Sequence, residues 1–352
     1  IINDIYNGKM IKDMYVQFQE VNIVLLQDKC TGCLACMATC NVKCITPIFD
    51  ENGFVYPKID QDKCVHCRRC ENVCPVIKHN TLHADNNNQF PNAFAGYAKD
   101  DCVREQSSSG GVFTVLAEYV LKQKGVVFGA AYRDDLTVSH IKIENIKEIY
   151  RLRGSKYVQS YVADCYNEVK KYLQDDRMVL FTGTPCQIEG INAFLGKKYR
   201  KLILVDIICH GVPSHKVWLE YLSWQEKRHS LKPVDANFRD KCSGWEMFSL
   251  SLGFQDGTTC STRLNEDYYM RAFLQNYSLR DSCYQCSFKK QNRVSDLTIG
   301  DLWGINDILP ELNDNKGVSV IFVQSNKGQR ILQSIENQMR LQQIDSKLAI
   351  EH

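Results

Sequence analysis

The sequence predicts a small cysteine-rich α+β module followed by a larger α/β domain whose sheet is mostly parallel or mixed. Three observations predict this. Two runs of four cysteines with identical spacing fill residues 30–74. A polar, Asn-rich and Pro-bearing stretch, HNTLHADNNNQFPN, occupies 79–92 and has linker composition. Beyond it, short apolar runs alternate with helix-spaced segments, as in an open α/β sheet. The chain divides accordingly into an N-terminal extension (1–26), the cysteine module (27–78), the linker (79–92) and the α/β domain (93–352).

The extension reads as a polar, helix-like stretch and then a mostly apolar run over 21–26. It has no initiator methionine and no signal-peptide pattern, and is expected to begin inside a longer chain. The 352 residues carry a net charge of +2, which gives no electrostatic case for nucleic acid or a membrane surface. The longest apolar runs, 202–209 and 318–323, fall far short of the roughly 20 residues that span a bilayer. Seventeen cysteines is an odd number in a long chain with strong helix and strand patterns. That combination favours cytosolic metal binding over a secreted disulfide scaffold, and a cytoplasmic protein is expected.

The first cysteine run is Cys30-x2-Cys33-x2-Cys36-x3-Cys40, and the second is Cys64-x2-Cys67-x2-Cys70-x3-Cys74-Pro75. Each cysteine of the second lies 34 residues after its counterpart, and Asp28-Lys29 and Asp62-Lys63 keep that offset. Three thiolates at this spacing wrap one face of a cubane, and the fourth crosses to the neighbouring cluster. The expected ligands are Cys30, Cys33, Cys36 and Cys74 for one [4Fe–4S] cluster, and Cys64, Cys67, Cys70 and Cys40 for the other. Structural zinc would use CxxC pairs without a crossing fourth thiol. One departure is Asn41, where proline usually follows the run; with Cys44 close by, Cys40 is the ligand that most needs a check. Between the runs, ITPIFDENGFVYPKI places Asn52-Gly53 between apolar strands, a hairpin signal.

In the α/β domain, strands are expected over 94–98, 126–132, 178–182, 202–208, 247–253, 297–300 and 318–324. Helices are expected over 110–122, 162–173, 185–195, 214–224, 267–274 and 328–339. Cys186 opens a helix directly after a strand, Cys209 ends a strand, and Cys283 and Cys286 form a CxxC. Open α/β sheets place ligands at the carboxyl ends of strands, so these four thiols are compatible with a third cluster and equally with buried structural cysteines. Cys44, Cys102, Cys165, Cys242 and Cys260 share no pattern and read as structural or free thiols. His210 is either a loop histidine or a proton donor to substrate. Ser107-Ser108-Ser109-Gly110-Gly111 precedes a helix and suits a phosphate or flavin edge; a plain serine N-cap explains it as well. In Arg151-Leu152-Arg153-Gly154-Ser155-Lys156-Tyr157, the basic side chains suit a pyrophosphate and Tyr157 a stacked ring, or a solvated turn.

Together, SSSGGVFT (107–114), RGSKYVQS (153–160), FTGTPCQI (181–188), CHGVPS (209–214), FRDKCSGW (238–245), RDSCYQCSF (280–288) and SDLTIGDLWG (295–304) resemble the coenzyme F420 hydrogenase/dehydrogenase beta-subunit family over most of 93–340. The resemblance implies an α/β flavoprotein domain with FAD and a [4Fe–4S] cluster. It assigns Cys186, Cys209, Cys283 and Cys286 to that third cluster. It points Ser107–Gly111, Gly154, Ser155, Lys156, Tyr157, Gln159, Ser160, Thr182, Gly183 and Thr184 toward the flavin, with Lys156 and His210 as polar groups at flavin or substrate. The function implied is a flavin-dependent iron–sulfur oxidoreductase of anaerobic type. It would exchange electrons with a ferredoxin-like carrier, a reduced deazaflavin or a nicotinamide, and act on a small organic substrate, alone, as a homo-oligomer or as a complex subunit. The alternative is an electron-transfer subunit of a hydrogenase or formate dehydrogenase type complex with no substrate of its own.

Overall fold

A computed structural model describes residues 27–81, 91–162 and 164–351; the expected N-terminal extension and most of the linker lie outside them. The duplication in the sequence is a duplication in space. Gly32 and Leu34 have φ of 68° and 59°, and their counterparts 34 positions on, His66 and Arg68, have 51° and 56°. The same offset relates the short helices Ala35–Ala38 and Arg69–Asn72. Left-handed residues at matched places let each cysteine loop curl back on itself before its helix. The copies diverge after their fourth cysteine. Pro75 starts the helix Pro75–Thr81, suited to a residue with a fixed φ and no N–H. After Cys40 the chain instead enters β1 (Ile45–Phe49), which pairs antiparallel with β2 (Val55–Ile59) across the expected Asn52-Gly53 turn.

The remaining strands are β3 (Asn92–Ala98), β4 (Val126–Tyr132), β5 (Val138–Ile143), β6 (Val179–Gly183), β7 (Leu202–Ile207), β8 (Pro233–Asp240), β9 (Ser249–Phe254), β10 (Thr259–Arg263), β11 (Leu297–Asp301), β12 (Ser319–Val323) and β13 (Met339–Ile344). Eight form one sheet, in the order β13-β3-β12-β11-β7-β6-β4-β5. Its centre, β11-β7-β6-β4, is parallel, and the flanking pairs are antiparallel. The sheet is therefore mixed, not mostly parallel: β5 returns from β4 by a tight turn, and β12 runs back beside β11. A separate sheet, β10-β9-β8, is antiparallel.

Helices Val112–Lys122 and Asn326–Ile335 cover one face of the large sheet through Val115, Leu116, Val120, Ile331 and Ile335. Cys165–Gln174 and Pro185–Leu195 cover the other through Tyr166, Val169, Ile188 and Ile191. That second core also contains Cys33 and Ala35 of the cysteine module. The three-stranded sheet packs with helix His215–His229 around Trp218. Trp218 is fully buried among Tyr221, Phe238 and Tyr269, and its Nε1 donates to the Leu136 carbonyl at 2.9 Å. Trp218→Ala is expected to cost about 3–5 kcal/mol, seen as a lower midpoint of chemical denaturation. No helix among the described residues is long and apolar enough to cross a membrane.

Candidate iron–sulfur and cofactor site

The parallel centre of the sheet delivers two cysteines to one edge. β6 ends at Gly183, and Thr184 then caps helix Pro185–Leu195: the Thr184 side chain accepts from the N3 backbone while Gln187 reaches back to the Thr184 N–H at 3.0 Å. This capping box fixes Cys186 in the first turn, where its Sγ lies 3.2 Å from the Thr184 hydroxyl. β7, parallel to β6, ends at Ile207 and leads to Cys209. Cys283 and Cys286 arrive from the other side. Pro213 bridges Leu279, and the Arg280 N–H donates to the Val212 carbonyl at 3.0 Å. All four side chains are close enough to act on one another: Cys209 feels the charges of Cys186, Cys283 and Cys286, and Cys186 those of Cys283 and Cys286.

The same holds for the first ferredoxin-type set. Cys36 feels Cys33, Cys30 and Cys74, so Cys74 of the other run lies near the first three thiols. Cys33 also feels Cys186, which puts this set beside the one at the strand ends. The close approach depends on Gly190, where a Cβ would lie 3.1 Å from Cys33 Sγ and 2.9 Å from the Tyr166 hydroxyl. The second set is more open. Cys67 is exposed, and Cys70 feels Cys67. Cys40 Sγ lies 3.4 Å from the Sγ of buried Cys44, which in turn contacts Cys64.

Burial pushes the Cys186 thiol up to about 12, and raises Cys33, Cys36, Cys74, Cys209 and Cys283 as well. Thiols crowded together and shielded from water resist ionisation. A cationic iron core is the partner that would make such a set favourable as thiolates, so these donors fit a cluster. Burial acts on Cys40 too, but donors from Cys44, Val42 and Ile45 outweigh it and lower its pKa, while Cys44 is held up at about 12. Of this adjacent pair, Cys40 is the readier thiolate. Among the described residues, no group of three or more His, Cys, Asp or Glu side chains is set to hold a single metal ion.

The residues expected at the flavin separate into two groups. In the first, the two candidate loops touch: Ser108 Oγ accepts from the Ser155 N–H at 2.7 Å and lies 3.0 Å from Ser155 Oγ. The other small residues of that loop are engaged elsewhere. Ser107 Oγ donates to Val103 at 2.7 Å, Ser109 Oγ to Val318 at 3.0 Å, and the Gly110 N–H to Ser319 Oγ at 2.9 Å. The helix cap is Gly111 at φ 86° with no side-chain bond, so the plain serine N-cap does not hold. Lys156 turns inward, its Nζ bonded to the carbonyls of Arg153 (2.9 Å) and Gly154 (3.1 Å). Burial, only partly offset by Asp235, lowers it to about 7. The arginines do not join it: Arg151 pairs with Glu148, and Arg153 bonds Thr114 and Gln106. Tyr157 is stacked on Phe273 at 4.6 Å.

In the second group, Gln159, Ser160, Thr182, Gly183 and Thr184 support the cysteines. Gln159 Nε2 donates to the Thr31 carbonyl in the first cysteine loop at 3.3 Å. His140, stacked on Phe181, joins Ser160 Oγ (2.7 Å) to the Thr182 carbonyl (2.8 Å). His210 is exposed, with its ring edge-on at 4.9 Å to Phe273, the ring on which Tyr157 stacks.

A model described as the beta-subunit N-terminal domain of coenzyme F420 hydrogenase/dehydrogenase matches 93–165, and one for the C-terminal domain of the same subunit matches 176–347. The chain belongs to the coenzyme F420 hydrogenase/dehydrogenase beta-subunit family. A 4Fe-4S dicluster domain matches 29–77, ahead of both family domains. This member is thus an iron–sulfur electron-transfer subunit of F420 hydrogenase/dehydrogenase type. Among solved structures, the chain is similar to one titled as a xenon derivative of the F420-reducing [NiFe] hydrogenase complex from Methanosarcina barkeri. That likeness has 14% identity, covers 77% of this chain and 91% of that one, and has a TM-score of 0.49. No curated protein matches the chain.

Three residues of this family member escaped the sequence reading. Arg239 forks onto Asp301 at 2.8 and 3.0 Å and reaches the Ser108 carbonyl and Tyr157 hydroxyl, both at 3.3 Å. It was visible inside FRDKCSGW, and its partner inside SDLTIGDLWG. Arg280 likewise opened RDSCYQCSF, but its partners Cys30 and Gln159 are far away in sequence; His140 had no local signal, its partners being Ser160 and Thr182.

Proposed function

We propose that this chain is the electron-relay subunit of a larger dehydrogenase or hydrogenase assembly, with three [4Fe–4S] clusters and no substrate of its own. The observation that carries the reading is the seating of Cys33 beside Cys186; with these as ligands, the first ferredoxin cluster would lie next to the third. In this reading the clusters are held by Cys30, Cys33, Cys36 and Cys74; by Cys40, Cys64, Cys67 and Cys70; and by Cys186, Cys209, Cys283 and Cys286. The second faces outward, with Cys67 and Val65 exposed, and exchanges single electrons with a ferredoxin-like carrier. The other two lead inward, and 27–78 serves 93–352 as its port.

A second reading, a flavin-dependent oxidoreductase with its own small substrate, is favoured by the joint between Ser108 and Ser155. Lys156 beside it is a half-buried amine bonded to two carbonyls and, among the described residues, without a carboxylate partner, a fitting partner for an anionic cofactor. Ser108, Gly154, Ser155 and Lys156 would hold FAD there, and FAD would couple one-electron to two-electron chemistry. Anaerobic purification tests both readings. About twelve irons per chain are expected for three cubanes, four irons each; about eight would remove the third cluster. Bound flavin, with reduction of a small acceptor by the isolated chain given ferredoxin, a nicotinamide or reduced deazaflavin, would replace the relay by the second reading.

A further inference from the structure

Arg280 lies three residues before Cys283 and is fully buried. Its Nε donates to the carbonyl of Cys30, 250 positions away in sequence, at 2.6 Å, and its Nη1 to Gln159 Oε1 at 3.3 Å. The guanidinium carbon sits over the Tyr56 ring at 4.0 Å and the Phe54 ring at 5.5 Å. Its Nη2 is buried without a hydrogen-bond partner. Gly32 makes room for this contact, since a Cβ there would stand 2.5 Å from Gln159 Nε2 and 3.2 Å from Arg280 Nη1. Among the described residues no carboxylate forms an ion pair with Arg280. A guanidinium cannot shed its proton, so burying one with a carbonyl, an amide and aromatic faces is costly unless negative charge is supplied. The nearest available source is the two cysteine sets that it joins, each of which carries net negative charge once thiolates bind a cluster.

We propose that Arg280 is a positioning residue for electron passage, a fixed positive charge shared by the cluster at Cys30 and the one at Cys283, with its free Nη2 hydrogens available to cluster sulfur. The assignment of the Cys283 cluster rests on the relay reading above; the contact with Cys30 does not. Nearby charge and hydrogen bonds to sulfur set cluster potentials. A positive charge favours the reduced, more negative state, so its loss makes reduction harder.

The test is a redox titration of the anaerobically purified full chain followed by low-temperature EPR, with iron content measured on each sample. In Arg280→Gln, the reduced-to-oxidised ratio of the Cys30 cluster at a fixed poise should fall about tenfold, which is about 59 mV for a one-electron couple. The outward cluster at Cys64 should not move. Arg280→Lys keeps the charge and loses the fork, so its shift should be smaller and in the same direction; it is the variant to read if the Gln form does not retain iron. A role limited to clamping the two parts together would change stability and leave the potentials where they were. Unchanged potentials in an iron-replete variant, or an equal shift at the Cys64 cluster, overturn the proposal. Eight irons in the unmutated chain would instead overturn the third cluster, and the shift at Cys30 would still be measured.

Discussion

Cys186→Ser should lower the iron content from about twelve to about eight per chain, by loss of one cubane. The position is fixed by the Thr184 capping box and faces three other thiols, and the donor beside it, the Thr184 hydroxyl at 3.2 Å, is not a thiol. Serine offers a shorter and harder donor than the thiolate that iron–sulfur clusters select. The two ferredoxin clusters should keep their EPR signals, because their thiols come from 30–74. The matched control is Cys242→Ser, an exposed thiol, which should retain all the iron. Full iron in Cys186→Ser, or equal loss in the control, would remove Cys186 from the ligand set.

Acid should weaken the α/β domain through His140. Burial lowers its pKa from 6.5 to about 4 in the folded chain, where it is held neutral between Ser160 and Thr182. Above pH 6.5 the ring is neutral in both folded and unfolded chains, and stability is fully present. As the pH falls from 6.5 to about 4, the unfolded chain takes up a proton that the folded chain refuses, so stability is lost across that window. A shift from 6.5 to about 4 corresponds to about 3 kcal/mol. Denaturation midpoints of the holo-protein at pH 7.5 and 5 should therefore differ, and His140→Gln should flatten that difference. A slope that survives the substitution would place the acid sensitivity elsewhere.

The chemistry was legible where it is local. Cysteine spacing pointed to the 4Fe-4S dicluster domain that matches 29–77, and helix Pro185–Leu195 and strand Val126–Tyr132 have the expected bounds. The edge strands were not legible. β10 alternates exposed and half-exposed residues, and β13 buries only its first, so neither carries the apolar signal that marks a strand; the helix expected over 328–339 ends at Ile335, because the helical period set by Ile331, Leu332 and Ile335 stops there. Of the two sheets expected, mostly parallel or mixed, the mixed one forms, and alternation of strands and helices could not choose between them because it says nothing of the hairpin that returns β5 beside β4. The basic loop also reads differently in three dimensions. Arg151, Arg153 and Lys156 are adjacent in sequence, but their side chains leave in separate directions.

Cys33 and Ala35 belong to the same apolar core as Tyr166, Ile188 and Ile191. The first cysteine loop is thus part of the interior of the larger domain, not a bead tethered to its surface. Without iron, the buried Cys33 thiol and its half-buried neighbours Cys30, Cys36 and Cys74 stand where that interior closes, and a group that binds only the folded state stabilises it by mass action. If the first loop holds a cluster, folding of the large domain and delivery of iron and sulfide to that loop would be linked steps, and the iron-free chain should be cut faster by protease along that face.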